Sequence, residues 1–292
     1  MEDLVHLGVL FSIFAILALS LQLVVGYTGL LSVTHAAFYG IGAYTTALLI
    51  TNLGVNFFVA LVVGVVLSAL VALIVGFVLS KFRGDYYTLA SLGFNVIVFS
   101  IFLNWQSLTR GPLGIPGIDR PVIDLGFMMY EVRENFAFLI LSLGFLFLVY
   151  RVSYFVTHSS FGRALKAIRE DEEALAVFGY HTLLFKLAVF VASAGVAAVA
   201  GALYASYITF IDPSSFTINE SIFILAIIIL GGLGSLRGAV IGAAVLILLP
   251  EALRFVGFPS DIAAQMRQVI YGLILVGLML YRPQGLVGEY KL

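Results

Sequence analysis

The sequence predicts an all-α, polytopic integral membrane protein: one bundle of about eight or nine transmembrane helices over 1–292, with glycine-broken segments and a helix-bearing charged loop. Three observations predict it. Only 11% of the 292 residues are charged, where a soluble domain has roughly a quarter. Mean hydropathy is +1.12. Apolar runs of spanning length recur from one end of the chain to the other.

A helix needs about 20 apolar residues to cross the hydrocarbon core. Runs that qualify lie at about 4–25, 31–50, 56–79, 86–104, 136–152, 183–207, 219–233, 237–255 and 266–281. The first opens as MEDLVHLGVLF, with two acids where a signal peptide has bases, so it is expected to stay as a span. Orientation follows the short loops, since Lys and Arg favour the cytoplasm. The segment 151–186 holds Arg151, Arg163, Lys166, Arg169 and Lys186, whereas 208–220 holds Asp212 and Glu220 and no base. Counting outward from these puts Lys81 and Arg83 inside, the N-terminus outside, and Arg282 and Lys291 inside. An outer loop of about 105–135 balances Arg110, Arg120 and Arg133 against Asp119, Asp124, Glu131 and Glu134.

Ala60, Gly64, Ser68, Ala72 and Gly76 fall at every fourth position of one span, and Ala194, Ala198, Ala202 and Ser206 repeat the pattern in another. Such stripes let helix backbones approach closely, although small residues are also common in membrane helices generally. Two glycine-rich stretches, GYTGLLSVTHAAFYGIGAY (26–44) and GGLGSLRGAVIGA (231–243), interrupt the apolar runs. Broken helices at membrane depth are tolerated where protein or a water-filled cavity surrounds them, and paired breaks point to a substrate path. Thr28, Ser32, Thr34, His35 and Tyr44 are then expected along the path, with Asn95 a further candidate and Ser235 and Arg237 near its cytoplasmic mouth. The alternative is a pair of cytoplasmic turns, with His35 and Arg237 reaching lipid headgroups. Asn95 and Asn104 fit interhelical hydrogen bonds equally well.

The densest charge lies in GRALKAIREDEEALAVFGY (162–180), seven charges in the eleven positions from Arg163 to Glu173. As a helix it puts Phe161, Leu165 and Ile168 on one side, continued by Leu175 and Phe178, with Arg163, Lys166, Arg169, Glu170 and Glu173 on the rest of its surface. Gly179 is placed to end it. Three readings fit: a helix in the membrane interface, a solvated loop, or a helix that docks into a partner. Three bases against four acids argue against the first, because interfacial helices are usually basic. Mixed charge around an apolar ridge suits the third.

Glu173-Ala174-Leu175-x-x-x-Gly179 resembles the Glu-Ala-Ala-x-x-x-Gly signature of ABC importer permeases, with Leu175 in place of the second alanine. The blocks SSFGRALKAIREDEEALAVFGY, KLAVFVASAGVAAVAGALYA, KFRGDYYTLASLGFNVI, LTRGPLGIPGI and ILGGLGSLRGAVIGAAVLILLPEALR, spread over about 26–285, are similar to the M-type permease of branched-chain amino acid importers. That resemblance implies a permease working by alternating access in a prokaryotic inner membrane, paired with an H-type permease and two ABC ATPases and fed by an extracytoplasmic binding protein. ATP and magnesium would be held by the ATPases. The loop at about 153–182 would be the coupling element, with Gly162, Arg163, Lys166, Arg169, Glu172, Glu173, Ala174 and Gly179 seating it. Arg110, Asp119, Arg120 and Asp124 of the outer loop would meet the binding protein. The same resemblance leaves urea, short amides or other neutral amino acids open as cargo.

Other classes fit less well. The chain lacks the G-x-x-x-x-G-K-[ST] phosphate loop and so cannot cradle ATP in that manner. No cysteine is present, and the histidines at 6, 35, 158 and 181 have no His-x-x-x-His pairing, so neither a metal site nor an intramembrane enzyme is supported. Net charge of −1 gives no hint of nucleic acid. A stand-alone secondary transporter predicts acids within the spans, but Asp85, Glu220 and Glu251 fall at span ends.

Overall fold

The computed structural model describes residues 2–124, 129–131, 134–254 and, past those, 269, 272, 273, 276, 277, 281 and 284–288. The expected span at 266–281 lies largely outside the described residues, and Arg133, Arg282 and Lys291 lie wholly outside them. The chain runs as α1 (Glu2–Leu21) continuing into a π-helical turn (Gln22–Gly26), α2 (His35–Leu53), α3 (Phe57–Leu79), α4 (Asp85–Asn104) and a single-turn α5 (Gln106–Thr109). After short strands β1 (Ile115–Pro116), β2 (Val122–Asp124) and β3 (Met129–Glu131) come α6 (Asn135–His158), α7 (Ser160–Glu170), α8 (Glu172–Val177) and α9 (Thr182–Ile208). Strand β4 (Phe210–Ile211), a 3-10 turn (Pro213–Phe216), α10 (Ile218–Gly231) and α11 (Leu236–Arg254) follow.

Five of these helices are long and apolar enough to cross a membrane: α1 with its π turn, α3, α4, α6 and α9. A sixth unit is the pair α10 and α11, bent by 117° across the break between them. The fold is thus all-α and polytopic. The structure corrects one span: the run expected at 31–50 becomes helical only at His35, because Gly29, at φ +74°, turns the chain out of the helix and residues 29–34 stay irregular.

Helix α2 lies at the centre, packed on α9 and α3, which also pack on each other. Two glycines permit the contact. A Cβ on Gly201 would lie 2.0 Å from the Tyr39 carbonyl oxygen, and one on Gly42 2.4 Å from the Ala198 backbone. Both small-residue stripes are buried where the sequence puts them, and Ser68 Oγ donates to the Ala194 carbonyl at 3.0 Å across that seam. On the opposite side of α3, Val59, Val62, Val66, Leu70 and Ile74 are exposed, as expected of a surface whose solvent is lipid.

The loops sort to two ends. One end carries 26–34, the α3–α4 turn, 159–181 and 232–235, and with them the densest run of charge. At the other, Ile115 pairs with Ile211 and Pro116 with Phe210 in an antiparallel ladder of β1 and β4. There Ile118 N donates to the Thr209 carbonyl at 3.2 Å, Arg120 Nη2 to Asn135 Oδ1 at 2.9 Å, and His6 Nδ1 lies 2.8 Å from the Tyr207 hydroxyl.

Candidate functional site

The charge patch is two helices, not the single one that its periodicity predicts. Asp171 breaks the run with extended backbone (φ −156°, ψ 100°), and its carboxylate caps α8 by accepting from Ala174 N at 2.9 Å. An Asp at this position favours a new helix start, because its oxygen satisfies one of the amides that a helix beginning leaves free. The turn into α7 is equally tight: Ser159 Oγ caps it, accepting from Gly162 N at 3.4 Å, and a Cβ on Gly162 would lie 2.1 Å from the Thr157 carbonyl oxygen.

The apolar ridge divides at that break. Leu165 and Ile168 are buried and Phe161 stacks on Phe185 of α9. Leu175, where the signature has alanine, is half-buried against the core. Phe178, predicted to extend the ridge, is 80% exposed beside Val177 at 87%; the change of direction at Asp171 swings both out into solvent. Gly179 ends the helix with φ +87°, as the sequence predicts.

The charged residues separate into an open set and an anchored set. Arg163, Glu170, Glu173 and Ala174 are exposed. Arg163 bonds locally, Nη2 donating to Ser160 Oγ at 2.8 Å, and Glu173 accepts from Arg83 of the α3–α4 turn at 3.0 Å. Glu172 instead turns to α9, accepting from Lys186 Nζ at 2.6 Å and Thr182 Oγ1 at 3.0 Å. Burial acts to raise the pKa of that carboxyl, but the bond and charge of Lys186, with help from Thr182 and Arg83, outweigh it and hold the pKa below its ordinary value. Two residues expected on the open surface also point inward. Arg169 donates to the Gly26 carbonyl at the end of the π turn, and Lys166 Nζ lies 5.6 Å over the Tyr27 ring.

The charge patch therefore meets the first glycine break, and that break meets the second. Gln22, fully buried on the π turn, donates from Nε2 to the carbonyls of Gly232 at 3.0 Å and Ser235 at 3.1 Å. Of the 231–243 stretch only 232–235 leaves helical geometry; Gly232 (φ +111°) and Gly234 (φ +80°) adopt backbone that other residues avoid. Ser235 Oγ accepts from Gly238 N at 3.1 Å and starts α11, so its hydroxyl serves as a cap. Arg237, two residues on, is exposed. It lies at the mouth of an apolar crevice of about 490 Å³ between α6 and α11, lined by Leu143, Leu146, Phe147 and Tyr150.

Farther along the bundle the starts of α2 and α10 meet. Ser221 Oγ accepts from Ala36 N at 2.9 Å and from Asn95 Nδ2 at 2.7 Å, and Asn95 Nδ2 also donates to the Val33 carbonyl at 2.8 Å. Asn95 is thus an interhelical bond former, whereas Asn104 bonds within its own helix, to the Ser100 carbonyl. Of the expected path residues, Thr28 bonds the Val24 carbonyl and Ser32 lies 2.9 Å from Thr34. Both His35 ring nitrogens, the Tyr44 hydroxyl and Asn95 Oδ1 are buried without a hydrogen-bond partner among the described residues, as are Thr46 Oγ1, Ser206 Oγ and Gln22 Oε1. The His35 ring lies near the Ser20 backbone, outside hydrogen-bond geometry. Sequence reasoning missed Gln22 and Ser221. Gln22, an amide inside an otherwise apolar run just before the first glycine break, is the signal that could have found it.

In the outer loop Arg110 and Asp119 are exposed. Arg120 is not free: besides its bond to Asn135, its guanidinium lies 5.9 Å over the Tyr207 ring. Of Asp124 only the backbone in β2 is described.

A family model described as branched-chain amino acid transport system / permease component matches residues 4–279. The chain belongs to this family of branched-chain amino acid transport permeases. Among relatives of this permease, the high-affinity branched-chain amino acid transport system permease protein LivM of Escherichia coli (strain K12) is 35% identical over 97% of the chain and 69% of its own length. The probable branched-chain amino acid transport permease protein LivM of Methanocaldococcus jannaschii is 25% identical over 98% and 94%. The LivH permease protein of Escherichia coli (strain K12) is 27% identical over 95% and 92%. No solved structure matches the chain. Membership makes the protein a membrane permease subunit of an ABC importer rather than an enzyme.

Proposed function

We propose that this chain is the M-type permease of an ATP-driven importer in a prokaryotic inner membrane, carrying branched-chain amino acids inward by alternating access. It pairs with an H-type permease, two ATPases that hold ATP and magnesium, and an extracytoplasmic binding protein. It crosses the membrane eight or nine times. The charge-rich end faces the cytoplasm and the N-terminus lies outside, in keeping with the bias of Lys and Arg toward cytoplasmic loops. The observation that carries the reading is the α7–α8 elbow. Its tip exposes Val177 and Phe178 among open charges, while its base is tied to the broken segments. An apolar tip ringed by mixed charge suits a cleft in a partner subunit.

The path runs past the junction of α2 and α10. His35 and Asn95 present polar atoms there, and Tyr44 farther along α2, to a zwitterion moving between apolar walls, while Thr28 and Ser235 hold the backbone of the breaks and Ser32 bonds Thr34 between them. On the outer side, Arg110 and Asp119 meet the binding protein, with Asp124, and Arg120 holds that loop in place. In the elbow, Gly162, Arg163, Lys166, Arg169, Glu172, Glu173, Ala174 and Gly179 divide between seating the partner and anchoring the base.

The test is ATPase activity of the complex in lipid, reconstituted with its co-encoded subunits and titrated with leucine, isoleucine, valine and urea. Stimulation by leucine that disappears in Glu173→Arg is the expected result. Stimulation by urea instead keeps the machine and changes the cargo. Failure of any ATPase to co-purify overturns the importer reading.

A further inference from the structure

The carbonyls of Gly26 and Gly232 lie where a helix ends or bends, and oxygens at such places run short of partners within the helix, whereas the Ser235 carbonyl already accepts from Ala239 N at 3.1 Å and has its second lone pair open. In a membrane-spanning bundle the first two must be satisfied by other groups. Two long side chains supply the donors: Arg169 bonds Gly26, and Gln22 bonds both Gly232 and Ser235. Arg169 also packs its stem on Gly29, close enough that a Cβ there would lie 3.2 Å from Arg169 Cγ. The backbones touch as well, since a Cβ on Gly26 would lie 3.0 Å from Gly234 N. Gln22 itself sits in a π turn, a local widening of the helix that is frequent at functional sites.

From this geometry we infer that Arg169 and Gln22 form a clasp that makes α7, the end of α1 and the α10–α11 bend move as one body, and that Gln22 is a positioning residue for transport. The inference rests on the importer reading. Force applied at α7 reaches Gly26 through a charge-assisted bond and passes through one turn of π helix. It arrives at the only four residues, 232–235, that separate α10 from α11. Hydrogen bonds suit this task because they are directional, so the bend is held in orientation as well as in proximity. An apolar side chain at 22 would fill the space and lose the orientation.

The chain has no cysteine, so paired spin labels at Glu170→Cys on α7 and Ile241→Cys on α11 report the distance across the clasp in the full complex in lipid. The expected result is one narrow distance distribution, the same with and without trapped ATP. With Gln22→Leu the distribution should broaden or shift between nucleotide states, and leucine imported per ATP hydrolysed should fall at least fivefold. Arg169→Gln, which cuts the other bond from a side chain outside the spans, should lower the same ratio and tests the clasp if Gln22→Leu fails to assemble. Unchanged ratio and unchanged distances in the variants that assemble overturn the clasp. If the unsubstituted complex imports no leucine, the importer reading fails instead, and the label distances still report whether the three segments move together.

Discussion

At the charge-rich end the chain leaves α-helical geometry at 29–34 and 232–235; in the opposite half of the bundle it does so at 209–217. The first region is built from glycine and directed polar bonds: Gly29, Gly232 and Gly234 take positive φ, and Gln22 and Arg169 reach the freed carbonyls. The second is built from rings. Phe216, fully buried, packs against Tyr39 at 5.1 Å, Tyr44 at 5.7 Å, Phe102 at 6.1 Å and Tyr204 at 6.3 Å between centroids. Polar bonds fix orientation and so can transmit a rotation; packed rings exclude solvent and resist opening without prescribing direction. The bundle thus has a linkage toward one end and a seal toward the other.

Removing the ring at the centre of the seal should cost the most. Phe216→Ala is expected to lower stability by about 3 kcal/mol, as for a large ring deleted from a packed core. Thermal unfolding of the purified permease complex checks it. A loss no greater than that of Gln22→Leu would mean that the two regions do not differ as argued.

A smaller effect is expected on the polar side. Gly29→Ala, at the bend of the first break and φ +74°, should cost about 1–3 kcal/mol in backbone strain, with only the flexible Arg169 stem near the new Cβ, at 3.2 Å. It should also lower transport more than thermal stability, measured as uptake against Tm in one preparation. Equal losses in both would reduce the bend to a structural turn.

Next comes the anchor of α8. Glu172→Gln removes the charge facing Lys186, for an expected cost of about 1–3 kcal/mol. Because the folded carboxyl titrates below its ordinary value of 4.5, its contribution is complete above about pH 4.5 and fades as pH falls through the depressed value. A single spin label at Ala176→Cys should become more mobile over that acid range in the unsubstituted protein. In Glu172→Gln it should already be mobile at pH 7, with no such transition.

The least effect is expected at Arg83 and Glu173, an ion pair with both side chains mostly exposed. A double-mutant cycle on stability should give a coupling of no more than about 0.5 kcal/mol. A larger value would mean that the elbow's tip, and not only its base, is held by the bundle.

Much of this architecture was legible in the sequence. The spans follow from hydropathy, since the membrane sets helix length and the interior stripes need small residues. Ala60 through Gly76 and Ala194 through Ser206 are buried as their spacing predicts. Gly179 and the two glycine breaks are local matters of backbone conformation, and local chemistry specifies them. The division of the charge patch at Asp171 was also a local signal, an N-cap residue before two acids, but helical periodicity concealed it by running through the break. What only the tertiary structure decided is which distant residues meet. Nothing in one dimension says that Arg169 reaches Gly26, that Gln22 reaches Gly232 some 210 positions away, that Ser221 joins α2 to α4, or that Phe216 fills a socket of four rings. Those pairings depend on how helices cross, and the crossings depend on atomic clearances such as the absent Cβ atoms of Gly42 and Gly201. Residue types make such contacts possible, and three-dimensional packing selects among them.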